Sequence, residues 1–146
     1  MKNFILMFTD RRYFAAAQLF LSLSLMFGTW VIYIPTLTQK LSMSEGDLGF
    51  ALFFSALGAF FAIPLGKRLV FQFGEGVMSF WSILLYAFFV VMFFVTPTFE
   101  ILCVLMFFFG ISSGIFQIAV NTVVSTIEKE DNVSVMSTCH GFFSMG

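Results

Sequence analysis

A length of 146 residues suits one water-soluble domain, but 60% hydrophobic and 10% charged residues, with a mean hydropathy of +1.00, exclude a surface that meets water on all sides. With a formal net charge of −1, no strongly basic face suggests nucleic-acid binding. The chain is expected to lie in a bilayer as an all-α membrane protein.

Residues 1–12, MKNFILMFTDRR, are expected to form a cytoplasmic N-terminus. Asp10, Arg11 and Arg12 interrupt the short apolar run, and no small-residue cleavage site follows, so a cleaved signal peptide is not expected. Residues 13–146 are expected to form a partial helical bundle. Spans are placed at about 13–37, 47–66, 76–96 and 100–127, and a shortened fifth begins near 136. Each of the four approaches or exceeds the ~20 residues a helix needs to cross ~30 Å of hydrocarbon. Runs such as YAFFVVMFFV are apolar at consecutive positions, which is a helix pattern and not the alternation of a β-barrel.

The first span is expected to end near Pro35 and to lead into the outer loop TQKLSMSEGDLG. Within it Ser44 and Asp47 have the spacing of a capping box that starts the second span. The second span carries Gly58, Ala62 and Gly66 at four-residue intervals, a spacing that lets another helix approach closely. The third span is apolar all round, from Phe80 and Trp81 to Phe93 and Phe94, and is expected to face lipid over much of its surface. Pro97 in TPTFE marks the turn into the fourth span, whose Gly110 and Gly114 form a second small-residue pair. The polar run EKEDNVS then makes a loop before the fifth apolar segment. Lys2, Arg11, Arg12, Lys67, Arg68 and Lys129 fall on one side of the expected membrane and Lys40 alone on the other. Basic residues gather on the cytoplasmic side, so the N-terminus is expected inside, in a bacterial inner membrane.

Polar side chains inside hydrocarbon are unfavourable unless they find partners or water, so their spacing carries information. Ser113, Gln117, Asn121 and Ser125 recur every four residues on the fourth span. Gln18, Ser22, Thr29 and Tyr33 keep one face of the first, with Trp30 beside them. Two explanations fit. These stripes line a hydrated cavity for a small-molecule substrate, or they hydrogen-bond helix to helix and touch no ligand. His140, the single histidine, is either a proton relay or a structural residue. Cys103 and Cys139 are far apart and form no C-x-x-C pair. Neither metal ligation, nor a cofactor site, nor catalytic machinery of an enzyme is discernible.

Gly28, Trp30 and Pro35, then LSMSEGDLG, then Gly58 and PLGKRLVFQFG resemble the first two helices and following loop of the major facilitator superfamily. Gly110, Gly114, Asn121 and the terminal MSTCHGFFSMG are similar to a bacterial branch related to the fucose permeases. The resemblance implies twelve helices in two halves, with helices one and four on the central cavity, helix three outside, and His140 at the start of helix five. The chain departs from the family in the loop after helix two, where Phe71 and Gln72 stand in place of the usual acidic and basic residues before the final glycine.

The expected function is that of the N-terminal portion of a secondary active transporter moving a small polar solute, a sugar among the candidates, by alternating access. Its partners are then the lipid bilayer, the solute and a missing transporter half. The alternatives are a small noncatalytic membrane assembly protein and a nonfunctional truncated product.

Overall fold

The structure, a computed structural model, describes residues 10–144. Residues 1–9, with Lys2 and most of the expected cytoplasmic segment, and the last two residues of the terminal string lie outside the described residues. The described residues form five helices and no strand: α1 (Arg11–Lys40), α2 (Glu45–Phe73), α3 (Glu75–Val95), α4 (Phe99–Asp131) and α5 (Met136–Phe143). The first four are long and apolar enough to cross a membrane, so the protein is a multi-pass membrane protein.

Local chemistry sets the helix ends. Asp10 caps α1 by accepting from the Arg12 amide at 2.8 Å. Ser44 and Asp47 form the expected capping box, the Ser44 amide donating to the Asp47 carboxylate at 2.9 Å and the Asp47 amide to Ser44 Oγ at 3.1 Å. Between α2 and α3 the chain turns at Gly74, whose φ of 85° lies in the region that favours glycine. Asn132, left-handed at φ 50°, ends α4.

Three helices run past their expected ends, α4 reaching Asp131 where about 127 was expected. Pro35 does not stop α1, which continues to Lys40. α2 passes Pro64, Lys67 and Arg68 and ends at Phe73. The apolar run ends where hydrocarbon ends, but a helix that has already satisfied its backbone internally keeps its hydrogen-bond ladder into the interface. α2 and α4, at 29 and 33 residues, are therefore roughly 43 and 50 Å long at 1.5 Å per residue, well beyond the ~30 Å hydrocarbon layer.

Helix α4 is the hub. Its most extensive packing is against α2, then α3, while α5 lies mainly on α1. The α2–α4 contact is backbone on backbone. A Cβ added to Gly58 would collide with the Phe107 carbonyl oxygen, and one added to Gly110 with the Ser55 carbonyl oxygen. Gly114 meets Ala62 and Gly66 meets Ile115 and Ile118, so the two small-residue stripes face each other.

α3 joins the other side of α4 through aromatic rings, and it is not uniformly lipid-facing. Phe80, Trp81, Leu84, Leu85 and Phe88 are exposed on its outer side. Phe89 and Phe93 are buried, as are Ser79, Ser82 and Tyr86 at an i, i+3, i+7 spacing that the surrounding phenylalanines conceal in the sequence. Tyr86 stacks on Phe109 with centroids 4.9 Å apart, and Phe93 packs against Phe109 at 5.2 Å and Trp30 at 4.6 Å. This cluster ties α1, α3 and α4 together.

The crossing predicts a sharp size limit. Gly58→Leu or Gly110→Val is expected to force α2 from α4 and to destabilise the bundle by about 1–3 kcal/mol or more. Gly76→Ala, whose added methyl meets nothing within 4 Å, leaves the packing unchanged. Labelling of the buried Cys103 and Cys139 thiols by a fluorescent maleimide during heating measures the difference.

Candidate functional site

The site is built from the helix ends inward. Where α4 stops, Glu130 pairs with the Arg12 guanidinium, which also lies 3.5 Å from the Asp131 carboxylate. The Tyr13 hydroxyl donates to Asp131 at 2.7 Å. One turn earlier, Glu128 Oε1 accepts from the Val135 and Met136 amides at 2.6 and 2.7 Å. Those are first-turn donors that α5 leaves unpaired, and a carboxylate is the favoured partner at that helix end. The start of α1, the end of α4 and the start of α5 are thus joined by charge-assisted bonds at the interface.

From that anchor α5 runs along α1 and brings His140 to Phe20, ring centroids 4.9 Å apart and planes at 71°. Phe20 is nine residues into α1, roughly 14 Å along the helix from Arg11 at 1.5 Å per residue. A cavity of about 210 Å³ opens there between α1, α4 and α5, lined by Phe20, Leu23, Gln117, Val120, Asn121 and His140 with Phe143. A second cavity of about 310 Å³ shares Leu23, Gln117 and Phe143 with the first and reaches Phe27, Ser55, Tyr86, Phe109 and Ser113. The two are lobes of one cleft. The lining is mostly apolar, with hydrogen-bonding groups on α4 and α5 and, in the second lobe, Ser55 of α2 and Tyr86 of α3, the usual make-up of a small-molecule site.

Hydrogen bonding separates the groups within this cleft. Ser113 donates to the Gly110 carbonyl of its own helix at 3.1 Å, as Ser112 and Thr122, outside the cleft, do to Phe109 and Ile118 at 2.9 and 2.8 Å. Gln117 and Asn121 hydrogen-bond no described residue. Their carboxamides, each with donors and an acceptor, stand open to the cleft.

The expected residues divide. Ser113, Gln117, Asn121 and His140 meet at the cleft. Gln18, Ser22, Thr29 and Tyr33 do not line either lobe. The α1 wall is Phe20, Leu23 and Phe27, which at roughly 100° per residue lie on the other side of the helix from Gln18, Ser22 and Thr29. Thr29 donates to the Leu25 carbonyl at 2.8 Å, and Tyr33 packs against Phe94 at 4.2 Å. Trp30, expected as a ring surface for ligand, is 3% exposed and belongs to the aromatic core instead. The small residues Gly58, Ala62, Gly66, Gly110 and Gly114 serve the α2–α4 crossing. Ser55 and Tyr86 are additional lining residues; their helical spacing to neighbouring small or polar positions is the only signal that marks them in the sequence.

The family model described as Major Facilitator Superfamily matches residues 15–146. The chain is 27% identical over 127 residues to the "Uncharacterized transporter y4wD" of Sinorhizobium fredii (strain NBRC 101917 / NGR234), covering 87% of this chain and 34% of that protein. It is 27% identical over 131 residues to the "Membrane protein MosC" of Rhizobium meliloti, covering 90% of this chain and 32% of that one. The chain therefore spans about a third of the length of these relatives. No solved structure matches it.

The geometry predicts opposite outcomes at two positions. Asn121→Cys is expected to react with a small methanethiosulfonate reagent well ahead of Cys103 and Cys139, both buried. Trp30→Ala leaves that reaction in place and destabilises the fold by about 3–5 kcal/mol, as loss of a buried aromatic does. Thiol-labelling rates and thermal unfolding in detergent measure the two effects.

Proposed function

We propose, on the premise that this chain belongs to the major facilitator superfamily, that it is the N-terminal portion of a secondary active transporter. That family consists of transporters, so the chain is read as part of a solute carrier and not as an enzyme. The cleft between α1, α4 and α5 serves as this portion's share of a midplane substrate site. Rocking of the portion against a second half exposes the site to each side of the membrane in turn. The cargo is a small polar solute, and the likeness of the terminal string to the fucose permease branch puts sugars among the candidates. The gathering of Arg11, Arg12, Lys67, Arg68 and Lys129 at one end of the bundle supports a cytoplasmic N-terminus in a bacterial inner membrane.

One observation carries this reading. Two carboxamides, Gln117 and Asn121, face a cleft within a membrane-spanning bundle without a hydrogen-bond partner among the described residues, whereas nearby hydroxyls return to their own helices. Open polar groups at that depth are unfavourable unless water or a ligand meets them. The assembly-protein alternative is supported less well. The small-residue faces it would offer a partner are already occupied, α2 against α4.

The transport reading expects the encoding DNA to continue beyond the Gly146 codon into further hydrophobic spans, which sequencing checks directly. In the whole product, Gln117→Ala and Asn121→Ala are each expected to lower solute uptake at least tenfold with membrane insertion unchanged. Uptake in cells and quantification of the protein in membranes provide the two readouts. Equal loss of insertion and uptake would mean that these residues serve packing alone.

A further inference from the structure

The lobe at His140 has chemistry that narrows the ligand. It measures about 210 Å³ and shares Leu23, Gln117 and Phe143 with the second lobe of the cleft. Phe20, Leu23, Val120 and Phe143 supply apolar walls, and Gln117, Asn121 and His140 supply the polar groups. This division suits a ligand with an apolar body and one compact polar end.

Charge decides what that end is. Among the described residues no carboxylate lines the lobe, so this portion offers a bound ammonium group no counter-charge. His140 is the titratable group of the lining. From α1 it is faced by Phe20 and Leu23, and from α4 by Gln117, Val120 and Asn121, none of which ionises. The ionisable groups of those helices nearest the lobe along the chain are at their ends, where Arg12, Tyr13, Glu130 and Asp131 engage one another and Glu128 holds the α5 amides. An imidazolium paired with a carboxylate brings no net charge into the membrane, and each alone does. Phe20 packs against the imidazole with ring centroids 4.9 Å apart.

We propose that this lobe binds a small monocarboxylate, His140 pairing as imidazolium with the carboxylate and the Gln117 and Asn121 amides donating to its oxygens. The inference rests on the cleft being a substrate site and names the class of substrate it takes. The neutral acid gives its carboxyl proton to an imidazole nitrogen, leaving a carboxylate and an imidazolium side by side. Atoms and net charge are conserved in that transfer.

The single histidine makes the test direct. The full chain, labelled with 15N-histidine and placed in lipid nanodiscs, is titrated with benzoate, the isosteric neutral benzamide, or D-galactose. Binding of each probe is followed by saturation-transfer NMR. Benzoate is expected to bind at least tenfold more tightly than benzamide and to shift the His140 15N resonances toward those of an imidazolium. His140→Gln, which keeps hydrogen-bonding capacity without the charge, abolishes benzoate transfer and spares that of benzamide. Binding of benzamide or galactose with no benzoate-dependent shift would overturn the carboxylate inference and leave the substrate cleft standing. Absence of transfer to all three probes would overturn both.

Discussion

Gly58 and Gly110 allow α2 and α4 to touch through their backbones, and the rest of the bundle is arranged around that crossing. In a bilayer the hydrophobic effect does not drive one apolar helix against another, since lipid tails serve an apolar side chain equally well. Close van der Waals contact must do so instead. Removing two side chains at the crossing lets many backbone atoms approach together, where each pair contributes little and the sum is large. With α4 fixed against α2, its opposite side is left for the aromatic contacts with α3 and for the cleft.

The interface plays a different part. Charged groups are tolerated where water and headgroups reach, and Arg12, Tyr13, Glu128, Glu130 and Asp131 lie at such helix ends. They do not hold the membrane-embedded helices together. They fix the direction in which α5 leaves the α4 turn, and that direction brings His140 beside Phe20 and opposite Asn121. A polar clasp outside the hydrocarbon thus positions a polar group within it. The link to the proposed function is geometric: three helices whose ends are pinned border a lobe lined by Gln117, Asn121 and His140.

Much of the fold was legible in the chain. Four apolar stretches longer than the bilayer requires gave four spans, and Ser44 with Asp47 marked the start of the second helix. Small residues four apart on two spans marked faces able to approach closely, though not that they would meet each other. Helix ends were less legible. Hydropathy falls at the edge of the hydrocarbon, while the backbone ladder of α2 continues to Phe73. Ser79, Ser82 and Tyr86 were hidden because composition is dominated by the phenylalanines around them, and their shared face emerges only when α3 is set against its neighbours.

By itself the sequence determined that this is an all-helical membrane protein, where its spans lie, and which residues of each span share a face, because these follow from hydropathy and the 3.6-residue turn. It could not determine how each helix is rotated about its axis relative to the others. On α4 the polar stripe of Ser113, Gln117 and Asn121 does turn toward the cleft. On α1 the apolar side with Phe20, Leu23 and Phe27 turns there instead, and Trp30 goes to the aromatic core. Only tertiary structure decides that rotation, since it is set by which side chains of neighbouring helices fit together and not by any property of one helix alone.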